Sequence, residues 1–337
     1  MEVSSHALEL RRVAGVAFDV GVFTNLGRDH LNFHPDMHHY RRAKGRLFEE
    51  LTSGGKDAVA VINLDDPAAE YMIRVNRGRL LTYGAHERAD VRMLRSQGTI
   101  QGTWFVAATP AGQCEVELPV PGPFQVANAA AALAVGVALQ LPLETIVTGL
   151  AQAPLVPGRF EVVNPGDEFV VVVDYAHKPD ALERLLSAAR SLSPSRLLTV
   201  FGCGGNRDRG KRPLMGEVAA RLSDVVFVTS DNPRGEDPQA IIEGIVAGIP
   251  REQLEKVRVE VDRRRAIVQA VAEAQPGDLV MIAGKGHETY QLFADRTVPF
   301  DDREVARAAL QARGIRSLQG AGFAGSGWKG KICEEKP

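Results

Sequence analysis

Five short aliphatic runs recur through the second half of the chain, at residues 169–173, 197–201, 225–229, 257–261 and 279–283, and helical periodicity separates them, as at 181–191 and 263–274. Apolar runs of this length suit strands covered on both faces. Their alternation with helices predicts a doubly wound, mainly parallel sheet with right-handed crossovers. A sheet of that kind binds ligands beyond the carboxyl ends of its strands, so the loops that follow these runs are where function is expected.

The first half also alternates strand-like runs (15–26, 58–62, 80–83) with helical patterns such as 37–51, and reads as part of an α/β domain. Between 91 and 118 the pattern changes to short alternating segments parted by Gly98, Gly102 and Gly112, which predicts an antiparallel meander forming a small sheet at the edge. Residues 125–141 read as an alanine-rich, largely buried helix. Two prolines and a glycine at 153–158 mark the expected interdomain linker. The expected domains are therefore 1–155 and 156–316, with 317–337 as a disordered tail on the strength of the glycine-rich run 320–331.

A net charge of -2 offers no electrostatic footprint for nucleic acid or an anionic membrane, which leaves small molecules as the expected partners. Cys114, Cys203 and Cys333 form no CxxC, so neither a disulfide framework nor a zinc finger is expected, and a reducing cytoplasm fits. No apolar stretch approaches the roughly 20 residues of a membrane helix, and no signal-peptide pattern is read at Met1.

Asp231-Asn232-Pro233-Arg234 follows the run 225–229. An arginine fixed behind a proline at a strand end suits a bidentate grip on a carboxylate or phosphate, and Asp231 could accept from an ammonium on the same ligand. Taken alone the tetrapeptide reads first as an Asx-Pro turn that ends a strand. It has company, however: the loop from Phe201 through Asn206, Arg207 and Lys211 to Met215, and the loop Ala283-Gly284-Lys285-Gly286-His287-Glu288, each follow a run of their own. Gly205-x-x-x-x-Gly210-Lys211 imitates a phosphate loop, but Arg212 stands where a hydroxyl should meet Mg²⁺, so that reading is rejected. His30, His34 and His38 recur every fourth residue, yet Pro35 argues against the helix that would gather them around zinc.

The order and wording of these motifs resemble the Mur ligases from Met1 to about Arg313, most nearly the branch that adds meso-diaminopimelate to UDP-N-acetylmuramoyl-L-alanyl-D-glutamate. The resemblance implies part of the family's central ATPase domain followed by a doubly wound, Rossmann-like ligase domain. It implies ATP as co-substrate and Mg²⁺ as metal, held by Glu2, His30 and Lys44, with Lys44 carboxylated to a carbamate whose oxygens suit a hard cation. Without the resemblance Lys44 reads as a solvated helix lysine. Histidine is an unusual Mg²⁺ partner, so Mn²⁺ could substitute. Carbamate formation needs a neutral amine, favoured by burial or by cations such as Arg41 and Arg42.

By the same resemblance Arg207, Asp231, Asn232, Pro233, Arg234, Gly284 and Glu288 bind diaminopimelate. Ser4 and Arg12 meet the nucleotide peptide, although Leu10 stands where some relatives carry glutamine. Asn128, Arg159 and Asp174 bind ATP, although many relatives have asparagine in place of Gln125. The protein is expected to be cytoplasmic and monomeric.

Family members carry a UDP-binding domain and a GTxGK[ST] loop ahead of the segment that matches Met1, and neither is read here. A half-built first sheet with exposed edges, and poor solubility, is therefore expected. Two alternatives stay open. One is a fragment that binds an amino acid without catalysis; the other is a ligase of the superfamily with another acceptor, such as L-lysine, a dipeptide or a folylpolyglutamate, against which Arg234 and Glu288 favour diaminopimelate.

Overall fold

A computed structural model of the chain describes residues 1–27, 30, 33–122, 124–164 and 168–314, together with the backbone of 332–333. The described residues form two compact units, which divide between Ala153 and Pro154.

The first unit opens with helix α1 (Ser5–Glu9), strand β1 (Val20–Phe23) and helix α2 (Met37–Glu49), whose amino end is capped by the Asp36 carboxylate accepting from His39 N at 2.7 Å. Strands β2 (Val59–Asn63) and β3 (Arg79–Gly84) follow, parted by α3 (Ala69–Val75); then come β4 (Val91–Gly98), β5 (Thr103–Thr109), β6 (Gly112–Leu118), α4 (Phe124–Ala138) and α5 (Leu143–Ala151). The meander expected at 91–118 is present. It is not a separate small sheet, because β4 pairs in parallel with β3 through Tyr83↔Val91 and Gly84↔Arg92 and so extends the main sheet. The turn that permits this is built on Gly84 (φ 143°) and on the Asp65 carboxylate, which accepts from the amides of Ala85 and His86. Helix α4 packs its Ala130, Leu133 and Ala134 over Val61, Phe105 and Val116, while Phe48 of α2 and Met72 of α3 cover Phe23, Ala60 and Ile62 on the other face. Among the described residues β1 pairs only with β2. Except for Ile332–Cys333, which pairs antiparallel with β6, the tail expected at 317–337 lies outside the described residues.

The second unit carries β7 (Glu161–Val162), β8 (Val170–Asp174), α6 (Pro179–Ser191), β9 (Leu197–Phe201), α7 (Lys211–Leu222), β10 (Val225–Val228), α8 (Pro238–Val246), β11 (Val257–Val259), α9 (Arg263–Glu273), β12 (Leu279–Ala283), the hairpin β13 (Tyr290–Leu292) and β14 (Thr297–Pro299), and α10 (Asp302–Ala312). Its sheet runs β11-β10-β9-β12-β8-β7, parallel except for β7. From β8 the chain steps outward to β9, β10 and β11, then returns to lay β12 between β9 and β8. That reversal makes the crevice beyond β9, β10 and β12 the ligand site expected for such sheets. Among the described residues no helix is long and apolar enough to cross a membrane.

The core below that crevice is formed by Val171, Val173, Val200, Phe227, Val280 and Ile282 against Ile267 and Val271 of α9 and Val305 and Leu310 of α10. Both helices start at the crevice, and their first residues face one another. Arg263, 1% exposed, donates Nε to Asp302 Oδ1 at 2.8 Å and Nη2 to Asp302 Oδ2 at 2.7 Å, while its Nη1 reaches Ser230 O (3.3 Å) and Nη2 also reaches Ala283 O (3.0 Å). Desolvation opposes the charge on Arg263, but Asp302 outweighs it and holds the guanidinium above its ordinary range. Removing one member of such a pair strands the other charge. Asp302→Ala is expected to lower stability by about 3–5 kcal/mol in urea unfolding, and Arg263→Met with Asp302→Leu to lose less. A loss below about 1 kcal/mol for Asp302→Ala would mean that the pair does not hold the strand ends.

Candidate active site

Three loops meet beyond β9, β10 and β12, and glycines let them touch. A Cβ on Gly202 would lie 2.2 Å from Thr229 O, and one on Gly205 would lie 1.9 Å from Pro233 O. The first two loops are stitched by backbone and side chain alike: Gly205 N donates to Asn232 O (2.9 Å), Arg234 Nη1 to Gly205 O (3.0 Å) and Gly235 N to Asn206 Oδ1 (2.8 Å). Glu236 completes the seam by accepting from Asn206 N (2.5 Å) and from Arg212 Nη2 on both oxygens (3.0 Å each). The amide of Asn206, then Arg212, hold this carboxyl below the usual carboxylate range.

Behind the seam lies a buried polar cluster. Lys285 Nζ, with its residue 0% exposed, donates to Asn232 Oδ1 and to Glu288 Oε2, each at 3.1 Å, and stands 3.6 Å from Asp231 Oδ1. Asn232 Nδ2 also donates to Glu288 Oε2 (2.9 Å), and Leu292 N to Asn232 Oδ1 (3.0 Å). Gln291 Nε2 fixes the Asp231 carbonyl at 2.7 Å. Asp231 Oδ1 is buried with no hydrogen-bond partner, an acceptor that a ligand ammonium or water can satisfy.

Of the residues expected to bind an amino acid, the structure gathers Asp231, Asn232 and Glu288 into this cluster. Gly284 lies against it, since its φ of 119° turns the chain and a Cβ there would lie 3.9 Å from Asp231 Oδ2. Pro233 and Arg234 form the seam. Arg234 adopts φ 52° and is held there by its backbone N–H, which donates to Leu292 O (2.9 Å). Arg207 stands apart from the cluster: it is exposed, and its Nη1 donates to Asn206 O at 3.4 Å. Cys203 is buried with Sγ 3.6 Å from Met215 Sδ, and burial pushes its thiol up to about 12, which removes it as a nucleophile at neutral pH.

Asp174 ends β8 with both carboxylate oxygens engaged, Oδ2 by Phe160 N (2.8 Å) and Oδ1 by Ala176 N (2.7 Å). Burial pushes its carboxyl upward against those bonds. Each oxygen keeps a second lone pair for a ligand. Arg159 stacks on the Tyr175 ring at 4.6 Å. Lys211 Nζ donates to His177 O at 2.7 Å, so the imitation phosphate loop ends in a structural contact.

In the first unit Glu2, Ser4, His30 and Lys44, scattered in sequence, line one cavity of about 550 Å³ beside β1. Ser4 Oγ caps α1 by accepting from Ala7 N (3.1 Å), and Lys44 Nζ lies over the Tyr40 ring at 5.2 Å. Arg12 is exposed in the turn after α1, and Asn128 is exposed on α4 with Nδ2 on Gln125 Oε1 (3.0 Å). His34 pairs with Ser5 Oγ at 2.9 Å while His38 faces solvent, so the three histidines do not converge. Among the described residues no group of three or more His, Cys, Asp or Glu side chains is arranged to hold a metal ion. A metal between Glu2 and His30 would therefore require a further donor, and a carbamate on Lys44 would supply oxygens of the right hardness.

Sequence reasoning missed Lys285, Gln291, Arg263 and Asp302 as contributors. Lys285 sat within a recognised strand-end loop, and an unassigned lysine between glycines at a strand end was the available signal. The pairing of Arg263 with Asp302 spans 39 residues and left none.

Two family models match the chain: the Mur ligase middle domain over residues 1–136 and the Mur ligase glutamate ligase domain over 158–286. The UDP-N-acetylmuramoyl-L-alanyl-D-glutamate–2,6-diaminopimelate ligase of Thermosynechococcus vestitus is 50% identical over 95% of this chain and 64% of its own length. The ligase of the same name from Geobacillus kaustophilus is 47% identical over 93% and 65%. A solved structure of a ligase with that name is 39% identical, with TM-score 0.64 over 94% of this chain and 64% of its own. A MurF ligase from Thermotoga maritima in complex with ADP shares the fold at TM-score 0.67 and 21% identity, covering 92% of this chain and 66% of that one. The chain thus spans about 64% of the length of the curated relatives it matches.

The close approach of the first two loops is directly testable. Gly205→Ala is expected to cost about 1–3 kcal/mol by overpacking against Pro233 O. Gly149→Ala, in helix α5 with open space at its Cβ, should be neutral or gain about 0.5–1 kcal/mol. Equal stability of the two variants in urea titrations would contradict the loop packing described.

Proposed function

Because the chain belongs to the Mur ligase family, we propose that it carries out the ATP-dependent addition of meso-diaminopimelate to UDP-N-acetylmuramoyl-L-alanyl-D-glutamate, a cytoplasmic step that builds peptidoglycan precursor. The observation that carries this reading is the switch-point cluster of Asp231, Asn232, Lys285 and Glu288, with Arg234 beside it. Identities of 39% to 50% to ligases of that name, against 21% to a MurF ligase or a folylpolyglutamate synthase, favour this acceptor over the others.

In this mechanism a carboxylate oxygen of the D-glutamyl residue attacks the γ-phosphorus of ATP, ADP leaves, and an acyl phosphate forms. An amine of diaminopimelate then attacks the acyl carbon, the bond from carbon to phosphate oxygen breaks, and the amine gives its proton to solvent as phosphate departs. No side-chain nucleophile is needed, so catalysis rests on positioning and on stabilising developing charge. The Asp231 carboxylate, whose buried Oδ1 faces Lys285 Nζ at 3.6 Å, is the acceptor for a substrate ammonium. Arg234 gives one N–H to Gly205 O and keeps others for a substrate carboxylate, and Arg207 offers a second cation from the rim. Glu2, His30 and the carbamate of Lys44 would hold Mg²⁺, which when bound supplies charge stabilisation at the transferring phosphoryl group. Asn128, Arg159 and Asp174 are assigned to ATP, and Ser4 and Arg12 to the nucleotide peptide. The protein is taken to act as a monomer.

Phosphate release should require both the nucleotide peptide and diaminopimelate; diaminopimelate binding without any release would instead make the chain a non-catalytic binder. Lys44→Ala, or removal of carbon dioxide, should abolish most of the rate, and full activity in either case would remove the carbamate. L-lysine would leave the site's arginines unpartnered, and sites of that kind discriminate by roughly 10⁴-fold. Arg234→Ala should lose most of this preference; an unchanged ratio of kcat/KM would exclude Arg234 from specificity.

A further inference from the structure

We propose that Lys285 is the positioning residue of the amino-acid site: its ammonium holds Asn232 and Glu288 in their binding geometry and offsets one of the two neighbouring carboxylates, Asp231 and Glu288, so that the cluster keeps negative charge for the substrate ammonium. This rests on the reading of the site given above. Three observations carry it. Lys285 is fully enclosed, so its charge is committed to the protein and not to solvent. Its Nζ lies within 3.1 Å of Asn232 Oδ1 and Glu288 Oε2, and 3.6 Å from Asp231 Oδ1. Finally, Asp231 Oδ1, which it faces, is buried with no hydrogen-bond partner, so Lys285 is the charge that compensates it.

Charge bookkeeping explains why a lysine is suited to this place. Asp231 and Glu288 together bring two negative charges and Lys285 one positive, so the enclosed cluster keeps one negative charge in excess. A ligand ammonium completes it. Without Lys285 the two carboxylates would face each other with a surplus of two, and Asn232 Oδ1 would keep only the Leu292 amide to orient it. Lys285 is also fixed by its own backbone: Gly284 and Gly286 on either side have φ of 119° and 52°, and a Cβ on Gly286 would lie 2.7 Å from Gly158 O and from Tyr175 Cβ. The short glycine-flanked turn thus aims the side chain inward beneath the site.

The test uses steady-state phosphate release by the full-length protein. Lys285→Met is expected to raise KM for meso-diaminopimelate at least about tenfold, to change kcat less, and to leave KM for ATP and nucleotide peptide within about twofold. Lys285→Arg should recover part of the loss. In a Glu288→Gln background, where the carboxylate that Lys285 offsets is already neutral, Lys285→Met should cost much less than in the native background. An unchanged diaminopimelate KM in Lys285→Met, an equal rise in all three KM values, or full additivity with Glu288→Gln would each overturn the proposal. Should Lys285→Met fail to fold, Glu288→Gln and the Lys285→Met/Glu288→Gln double variant decide, because the double variant removes both partners of the ion pair. Diaminopimelate KM values within about threefold of each other support the proposal, and a further tenfold rise in the double variant overturns it. Absence of diaminopimelate-dependent release from the wild type would overturn the proposed function and this inference together, whereas wild-type release with unaltered variants overturns this inference alone.

Discussion

Everything beyond the strand ends of the second unit depends on one buried ion pair. Arg263 and Asp302 begin the two helices that cover one face of the sheet, and the guanidinium that joins them also binds the carbonyls of Ser230 and Ala283. Those carbonyls belong to the last residues before Asp231 and before Gly284. A single fork of donors, planar and always charged, thereby fixes the distance between two loops that flank a third. The pair is not needed to make the core apolar, and a hydrophobic substitute could be as stable. What it supplies is registration of the strand ends.

From that registration follows a site built in two tiers. The upper tier is backbone, where glycines at 202 and 205 let one loop lie on the next. The lower tier is the enclosed cluster around Lys285, in which nearly every donor and acceptor is matched within the protein. A cluster tied together by so many hydrogen bonds is held in one arrangement, and its excess of negative charge is what gives it chemical direction.

Much of this was legible in the sequence. The apolar runs at 197–201 and 279–283 coincide with β9 and β12, and the helix predicted at 37–51 ends two residues earlier, at Glu49. The Asp231-Asn232-Pro233-Arg234 motif announced a strand end, and Glu2, His30 and Lys44 do line one cavity. Local pattern failed where long-range pairing decided the outcome. The 91–118 meander read as a separate sheet because its glycines interrupt the period, whereas its attachment to β3 depends on two residue pairs beyond a turn. The hairpin β13 and β14 has three-residue strands, too short to register as a period, yet it supplies Gln291 and Leu292 to the cluster. Arg207 was grouped with Asp231 by resemblance, and its exposed side chain sits on the rim of the seam.

The seam itself has a consequence for how such proteins diversify. Since the Gly205 amide, the Arg234 guanidinium, the Asn206 carboxamide and the Glu236 carboxylate each cross from one loop to the other, neither loop carries its own shape independently. A new acceptor preference cannot be transplanted by exchanging the 231–236 segment alone, because the incoming segment would meet a partner cut for a different edge. Inheritance of specificity in this architecture travels in blocks, with residues 202–212 and 231–236 moving together.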